Sequence, residues 1–310
     1  MEADEQGDAI GSGQPTKATT TKSMAKTPTW QAMHASRYRR QDLIRQIQSL
    51  TNRKLICYTA GQEADICRDD VLGFVDLLHN ADRGASLDLM LHTPGGDIDA
   101  AEKLITMVRN VVGAETLRVI VPDFAKSAGT LMALGADVIL MSDSSELGPI
   151  DPQITLADGE GNRTTYPVQS YLDAFEQHSK ALQANPQDEV ARMMMGKFEP
   201  ARLKVFEAAR ERARVFAGAQ LQQGMFRAPK VGPWTAIVDK LLDTNRWQSH
   251  GQMIGYADAK ALELSVEYID PREEPWQSLM QLYCYQRLEI KEKQKLFESE
   301  FVCLTFDQPA

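Results

Sequence analysis

No stretch of the 310 residues gathers the roughly 18 to 20 consecutive apolar side chains that a membrane-crossing helix needs. The sequence therefore predicts a soluble chain with no membrane partner. The N-terminus lacks the apolar core of a signal peptide. Met1 to about Pro28 is Gly, Ser, Thr, Lys and acid with almost no large apolar residue, and is expected to be a flexible tail. Cysteine is scarce: Cys57, Cys67, Cys284 and Cys303 make no CxxC pair and follow no metal-ligand spacing. Neither a disulfide framework nor a metal centre is expected, no pattern calls for a cofactor, and the thiols suit a reduced, cytoplasmic protein. Positive charge is also short, with 34 Lys and Arg against 43 Asp and Glu and a formal net charge of −9. That balance argues against a nucleic-acid partner, because neutralising phosphates takes a basic footprint. The cluster Arg37, Arg39, Arg40 and Arg45 reads as a solvated helix face.

What is present is enough apolar material, 43% of the chain, for one large core. The expected division is a tail over 1–28, a single large domain over 29–270 and a C-terminal helical extension over 271–310. A helix is expected from Trp30 to about Leu50, then a strand Lys54 to Thr59 and a helix Asp69 to Asn80 with Val71, Leu72, Val75 and Leu78 on its apolar stripe. Strand 87–92, helix 97–112, strand 117–121, helix 127–136 and strand 138–141 continue a βαβαβ rhythm of mostly parallel strands. The arms QITLA and RTTYP around Asp158 to Asn162 read as a hairpin. Beyond it lie helices Val168 to Gln183, Asp188 to Phe226 and Trp234 to Thr244. A loop with Ser249, His250 and Gly251 follows, then a short helix Ala257 to Leu262 and a strand Ser265 to Ile269. A last amphipathic helix is expected from Glu274 to Phe297, its KEKQK segment solvated.

Two stretches carry the chemistry. In LRVIVPDFAKSAGTLMALGAD a branched, buried strand gives way to a helix of small residues that opens near Ser127. A serine there can be a plain N-cap. It also stands beside unpaired N–H groups and the positive end of the helix dipole, which can stabilise charge developing on a carbonyl oxygen. In SLDLMLHTPGGDIDAA a strand runs into Thr93-Pro94-Gly95-Gly96 before a helix with an acidic first turn. Two glycines without side chains let a substrate carbonyl approach bare backbone donors.

TPGGDIDAAEKL, AKSAGTLMALGAD and SELGPIDPQ together resemble the Clp-type serine peptidases of the crotonase superfold, and among them the serine dehydrogenase proteinase branch. The likeness covers Lys54 to Asp270 in outline and is sharp over Leu87 to Ile154. It implies an α/β fold, a ClpP/crotonase-like spiral of βαβ units with a hairpin-helix projection that mediates subunit contacts, and added C-terminal helices. It implies a serine endopeptidase with Ser127 as nucleophile, the N–H groups of Gly96 and Ala128 as oxyanion donors, and Gly95 beside the substrate. The implied partners are a peptide or unfolded protein as substrate and further copies of the chain in a homo-oligomer.

A serine hydroxyl needs a base. Of five histidines, His34 precedes the core, His79 ends a helix, His92 lies on a strand and His178 in an exposed-looking helix; His250 is in a loop, where a side chain can be presented to a site. Asp151, held between Pro149 and Pro152, stands where Clp peptidases keep their catalytic histidine. The resemblance to the serine dehydrogenase proteinase branch implies the triad order Ser, Asp, His, which Ser127, Asp151 and His250 follow. A Ser-Lys dyad is the competitor. Signal peptide peptidase A also resembles this core and implies a lysine near Lys180, which could serve as base only where burial removes its charge. Lys126 adjoins the serine, and neighbours in a helical turn point apart. Two other classes stay open: an acyl-coenzyme A hydratase or isomerase of the crotonase superfold, and a catalytically silent assembly protein.

Overall fold

The computed structural model describes residues 27–157, 163–228 and 232–308. The expected tail as far as residue 26 and the hairpin tip at 158–162 lie outside them. The chain divides into two units, Met1–Ala35 and Ser36–Ala310. In the first, α1 (Pro28–Met33) opens at Thr27, whose hydroxyl accepts from the Trp30 N–H at 3.4 Å.

The second unit alternates strand and helix. In chain order come α2 (Ala35–Thr51), β1 (Lys54–Ala60), α3 (Asp70–His79), β2 (Leu87–His92), α4 (Ile98–Val112), β3 (Leu117–Ile120), β4 (Phe124–Ala125), α5 (Ala128–Ala133), β5 (Val138–Met141) and β6 (Glu146–Leu147). They are followed by the hairpin β7 (Gln153–Ala157) and β8 (Arg163–Pro167), then α6 (Val168–Ala184), α7 (Glu189–Met195), α8 (Pro200–Gln223), α9 (Trp234–Leu242) and α10 (Tyr256–Ala261). β9 (Val266–Tyr268), α11 (Glu274–Glu289), β10 (Gln294–Glu298) and β11 (Cys303–Asp307) end the chain. The main sheet has the order β11-β10-β1-β2-β3-β5-β9. From β1 to β9 its neighbours are parallel, and β10 and β11 join antiparallel at the β1 edge.

Side-chain parity shows why both faces are covered. On β1, Ile56, Tyr58 and Ala60 enter one core and Leu55 and Cys57 the other; on β3, Leu117 and Val119 oppose Ile120. Alternate residues of a strand point to opposite faces, so near-continuous apolar runs such as LRVI require cover on both sides. Residues of α3, α4, α5, α8 and α9 fill the larger core, and Leu43, Ile44, Ile47, Trp276, Leu279 and Leu282 of α2 and α11 fill the smaller.

Several expectations are corrected. The first expected helix is broken at His34 into α1 and α2. The helix from Asp188 to Phe226 is two, broken between Gly196 and Pro200, since a proline disfavours helical geometry at the preceding residue and occupies a helix start readily. On α3 the buried face is Gly73, Phe74, Leu77 and Leu78, while Leu72 and Val75 are exposed. The last helix stops at Glu289, and residues 294–298 are a strand of the main sheet, so the C-terminal segment is not wholly helical. Lys295 of the supposedly solvated KEKQK run is buried, its ammonium 2.8 Å from the buried Asp70. Arg40 likewise leaves the solvated cluster: it is buried, donates from Nε to both carboxylate oxygens of Glu298 at 2.9 and 3.0 Å, and pairs with Glu289.

Candidate active site

The loop after β2 and the segment before α5 are tied together by backbone. The Thr93 N–H donates to the Phe124 carbonyl at 3.1 Å, and the Lys126 N–H to the Thr93 carbonyl at 3.0 Å. Gly95 and Gly96 have φ of +113° and +137°, a region that side chains other than glycine's rarely enter. Space is closed as well. A Cβ on Gly95 would lie 2.8 Å from the Ser127 Cβ, and one on Gly96 2.4 Å from the Ile66 nitrogen. Ile66 clamps the loop, donating to the Gly95 carbonyl at 2.7 Å and accepting from the Asp97 N–H at 2.9 Å. Among the described residues the N–H groups of Gly96 and of Ala128, first residue of α5, have no acceptor, and both residues line one cleft.

Ser127 stands at the strand-to-helix joint with φ 51° and ψ −116° and makes no side-chain cap bond, so the plain N-cap reading fails. Left-handed backbone at a non-glycine residue is strained and persists only where its surroundings enforce it. Here Gly95 packs on the Ser127 Cβ, and the Gly129 N–H closes on the Lys126 carbonyl at 2.7 Å. Thr130, buried in α5, bonds the Ala125 carbonyl at 2.7 Å and accepts from the Gly148 N–H at 2.9 Å, fixing the helix start between two loops.

The Asp151 carboxylate lies 2.9 Å from His250 Nδ1. Asp151 is buried and the His250 side chain is 25% exposed. In a neutral imidazole, a carboxylate on Nδ1 makes that nitrogen the donor and leaves the lone pair on Nε2. His250 shares with Gly96, Ser127, Ala128, Leu131 and Ile150 the walls of a cleft of about 740 Å³. Segments separated by up to 154 positions, from Gly96 to His250, thus meet in one place.

Lys180 is not brought to the cleft. It lies on an exposed face of α6, 2.6 Å from Glu176, away from the residues that line the cleft. His34, His79, His92 and His178 do not line the cleft either. His92 is fully buried beside Phe124 and Tyr283; burial, reinforced by Arg287, lowers its pKa to about 3. Among the described residues no group of three or more His, Cys, Asp or Glu is placed to hold a metal. Ile66 and Thr130 were invisible in the sequence, because the clamp and the bond to Gly148 depend on backbone groups of other segments.

Residues 26–190, more than half of the 310, match the family described as ClpP-like SDH-type serine proteinases. The match holds Gly95, Gly96, Ser127, Ala128, Asp151 and Lys180 and stops short of His250. Two uncharacterized proteins of Methanocaldococcus jannaschii, MJ0137 and MJ1495, are similar to part of the chain. They are 43% identical over 97 residues and 39% over 89, covering 31% and 29% of this chain. The chain spans 30% and 27% of the length of these curated relatives. Among solved structures, ClpP1 from Listeria monocytogenes aligns over 73% of this chain and 96% of its own, with a TM-score of 0.37 and 14% identity. A single-residue mutant of the 1510-N membrane-bound stomatin-specific protease aligns over 70% and 98%, with a TM-score of 0.29 and 18% identity.

Proposed function

The chain belongs to the ClpP-like SDH-type serine proteinase family, and from that premise we propose that it is an endopeptidase acting on peptides or unfolded protein through an acyl-enzyme on Ser127. The observation that carries this reading is the 2.9 Å bond from the buried Asp151 to His250 at the wall of the cleft that Ser127 lines. In the proposed cycle the Ser127 oxygen attacks the scissile carbonyl carbon while His250 Nε2 takes the hydroxyl proton. The oxyanion accepts from the Gly96 and Ala128 N–H groups, donors already fixed by the Ile66 clamp and the start of α5. Collapse breaks the C–N bond, and the imidazolium returns its proton to the leaving amine. Water, deprotonated by the same nitrogen, then releases the acid. Asp151 holds the tautomer and balances the transient positive charge.

The strained backbone at Ser127 favours this reading over a hydratase or isomerase of the crotonase superfold, which has no use for a nucleophile at that joint. A homo-oligomer is part of the proposal. It is supported by apolar side chains left exposed between β8 and α8, among them Tyr166, Val190, Met193 and Val205.

The test is Ser127→Ala. Hydrolysis of a mixed peptide library should fall by roughly 10⁴-fold or more, and labelling by a fluorophosphonate should vanish. The unfolding midpoint should hold, since no cap bond is lost. Equal hydrolysis by the variant would end the proposal, and a folded parent protein with neither activity would favour the silent assembly protein.

A further inference from the structure

Ser127, Asp151 and His250 come from three segments, and a single side chain touches all three segments. Lys126 immediately precedes the nucleophile, yet it does not line the cleft. Its side chain is 14% exposed. The stem runs against Gly148, where a Cβ would lie 2.8 Å from the Lys126 Cδ. The ammonium lies 3.1 Å from the Glu146 carboxylate and donates toward the carbonyls of Leu147 at 3.2 Å, Gly251 at 3.3 Å and Gln252 at 3.3 Å. Leu147 opens the turn that delivers Asp151, and Gly251 and Gln252 directly follow His250. Leu147 also exchanges two backbone bonds with Ile254, each at 3.0 Å.

We propose that Lys126 is a positioning residue, a cation that gathers the carbonyls of the acid and base loops and so sets His250 against Ser127. The inference rests on the reading of His250 as the base. Carbonyl oxygens from separate loops repel when they converge, and a group with three donors and a positive charge is what lets them share one point. Glu146 balances that charge. The loop from Trp247 to Gln252 has no helix or strand of its own, so contacts of this kind hold its conformation. Lys126 is not itself the base, because its ammonium is engaged by four oxygens.

The experiment is a double-mutant cycle read by the rate of fluorophosphonate labelling of Ser127 and by peptide hydrolysis. Lys126→Met should slow labelling by about 30-fold and lower kcat with KM within about twofold. In a His250→Ala background the same change should cost less than about threefold, because a residue acting through the imidazole has nothing left to act on. Lys126→Arg, which keeps a cation, should return labelling to within about fivefold of the parent, and Lys126→Gln, which removes the charge but keeps a donor, takes the place of the methionine variant in the cycle if that variant does not fold. Equal losses in both backgrounds would overturn the inference, as would a slow His250→Ala with an unaffected Lys126→Met. A fully active His250→Ala would instead remove the base reading, and the role of Lys126 with it.

Discussion

At Ser127 the side chain is commonplace and the backbone is not. A serine with φ of 51° is held by Gly95 on one side and the first turn of α5 on the other, and its hydroxyl is spent on no cap. Asp151 makes a sharper test of the proposed chemistry than the nucleophile does. Asp151→Asn keeps the shape of the side chain but can offer its N–H to Nδ1, which favours the tautomer whose Nε2 carries the proton. Activity should fall by roughly 10³- to 10⁴-fold with the unfolding midpoint nearly unchanged, as kinetics and chemical denaturation of the variant would record. A loss under tenfold would mean that Asp151 only fixes a turn.

Among elements, β10, paired between β11 and β1, is where sequence patterning and tertiary contact disagree most. Lys295 and Glu298 are both buried, the first against Asp70 on α3 and the second against Arg40 on α2. Asp70 also accepts from the Tyr58 hydroxyl and the Cys67 N–H, each at 2.9 Å, so the ion pair sits in a satisfied network joining α3, β1 and β10. Removing one partner of such a pair strands a buried charge. Lys295→Met is expected to cost about 3 to 5 kcal/mol by guanidinium denaturation, and Asp70→Asn added to it should recover part of that loss. A cost under about 1 kcal/mol would show the pair to be dispensable.

For the whole molecule, acid sensitivity follows in part from His92. Its pKa in the folded state is lowered to about 3, whereas the unfolded chain takes up the proton near 6.5. Between those values the unfolded state binds more protons, so stability falls as pH drops through the window, by at most about 1.4 kcal/mol per pH unit from this one group. Above about 6.5 the group contributes no slope. His92→Gln should flatten the curve of unfolding free energy between pH 4 and 6.5 relative to the parent, and parallel curves would refute the assignment. Assembly is the second property at this scale. If the exposed apolar side chains between β8 and α8 carry the subunit contacts of the proposed homo-oligomer, light scattering should find masses well above the 34.6 kDa of one chain. Val190→Asp with Met193→Asp, both at exposed positions, should shift the protein toward that value. An unchanged mass distribution would place the contacts elsewhere.

The sequence by itself determined the βαβ rhythm, the paired glycines that leave backbone donors bare and the position of Ser127, because periodicity, glycine and helix starts are properties of neighbouring residues. It also carried the family likeness over the region that holds Gly95, Gly96 and Ser127. It did not decide which candidate base is near. Lys180 and His250 were both open, and only the packing puts Lys180 beside Glu176 in solvent and His250 on Asp151 at the wall of the cleft. The misread C-terminal segment has the same cause. Lys295 and Arg40 look solvated when only local polarity is counted, and their burial depends on carboxylates 225 and 258 positions away. Separations of that length are set by the tertiary fold, which is why charge pairing and the surroundings of the candidate bases were decided there and the joint at Ser127 was not.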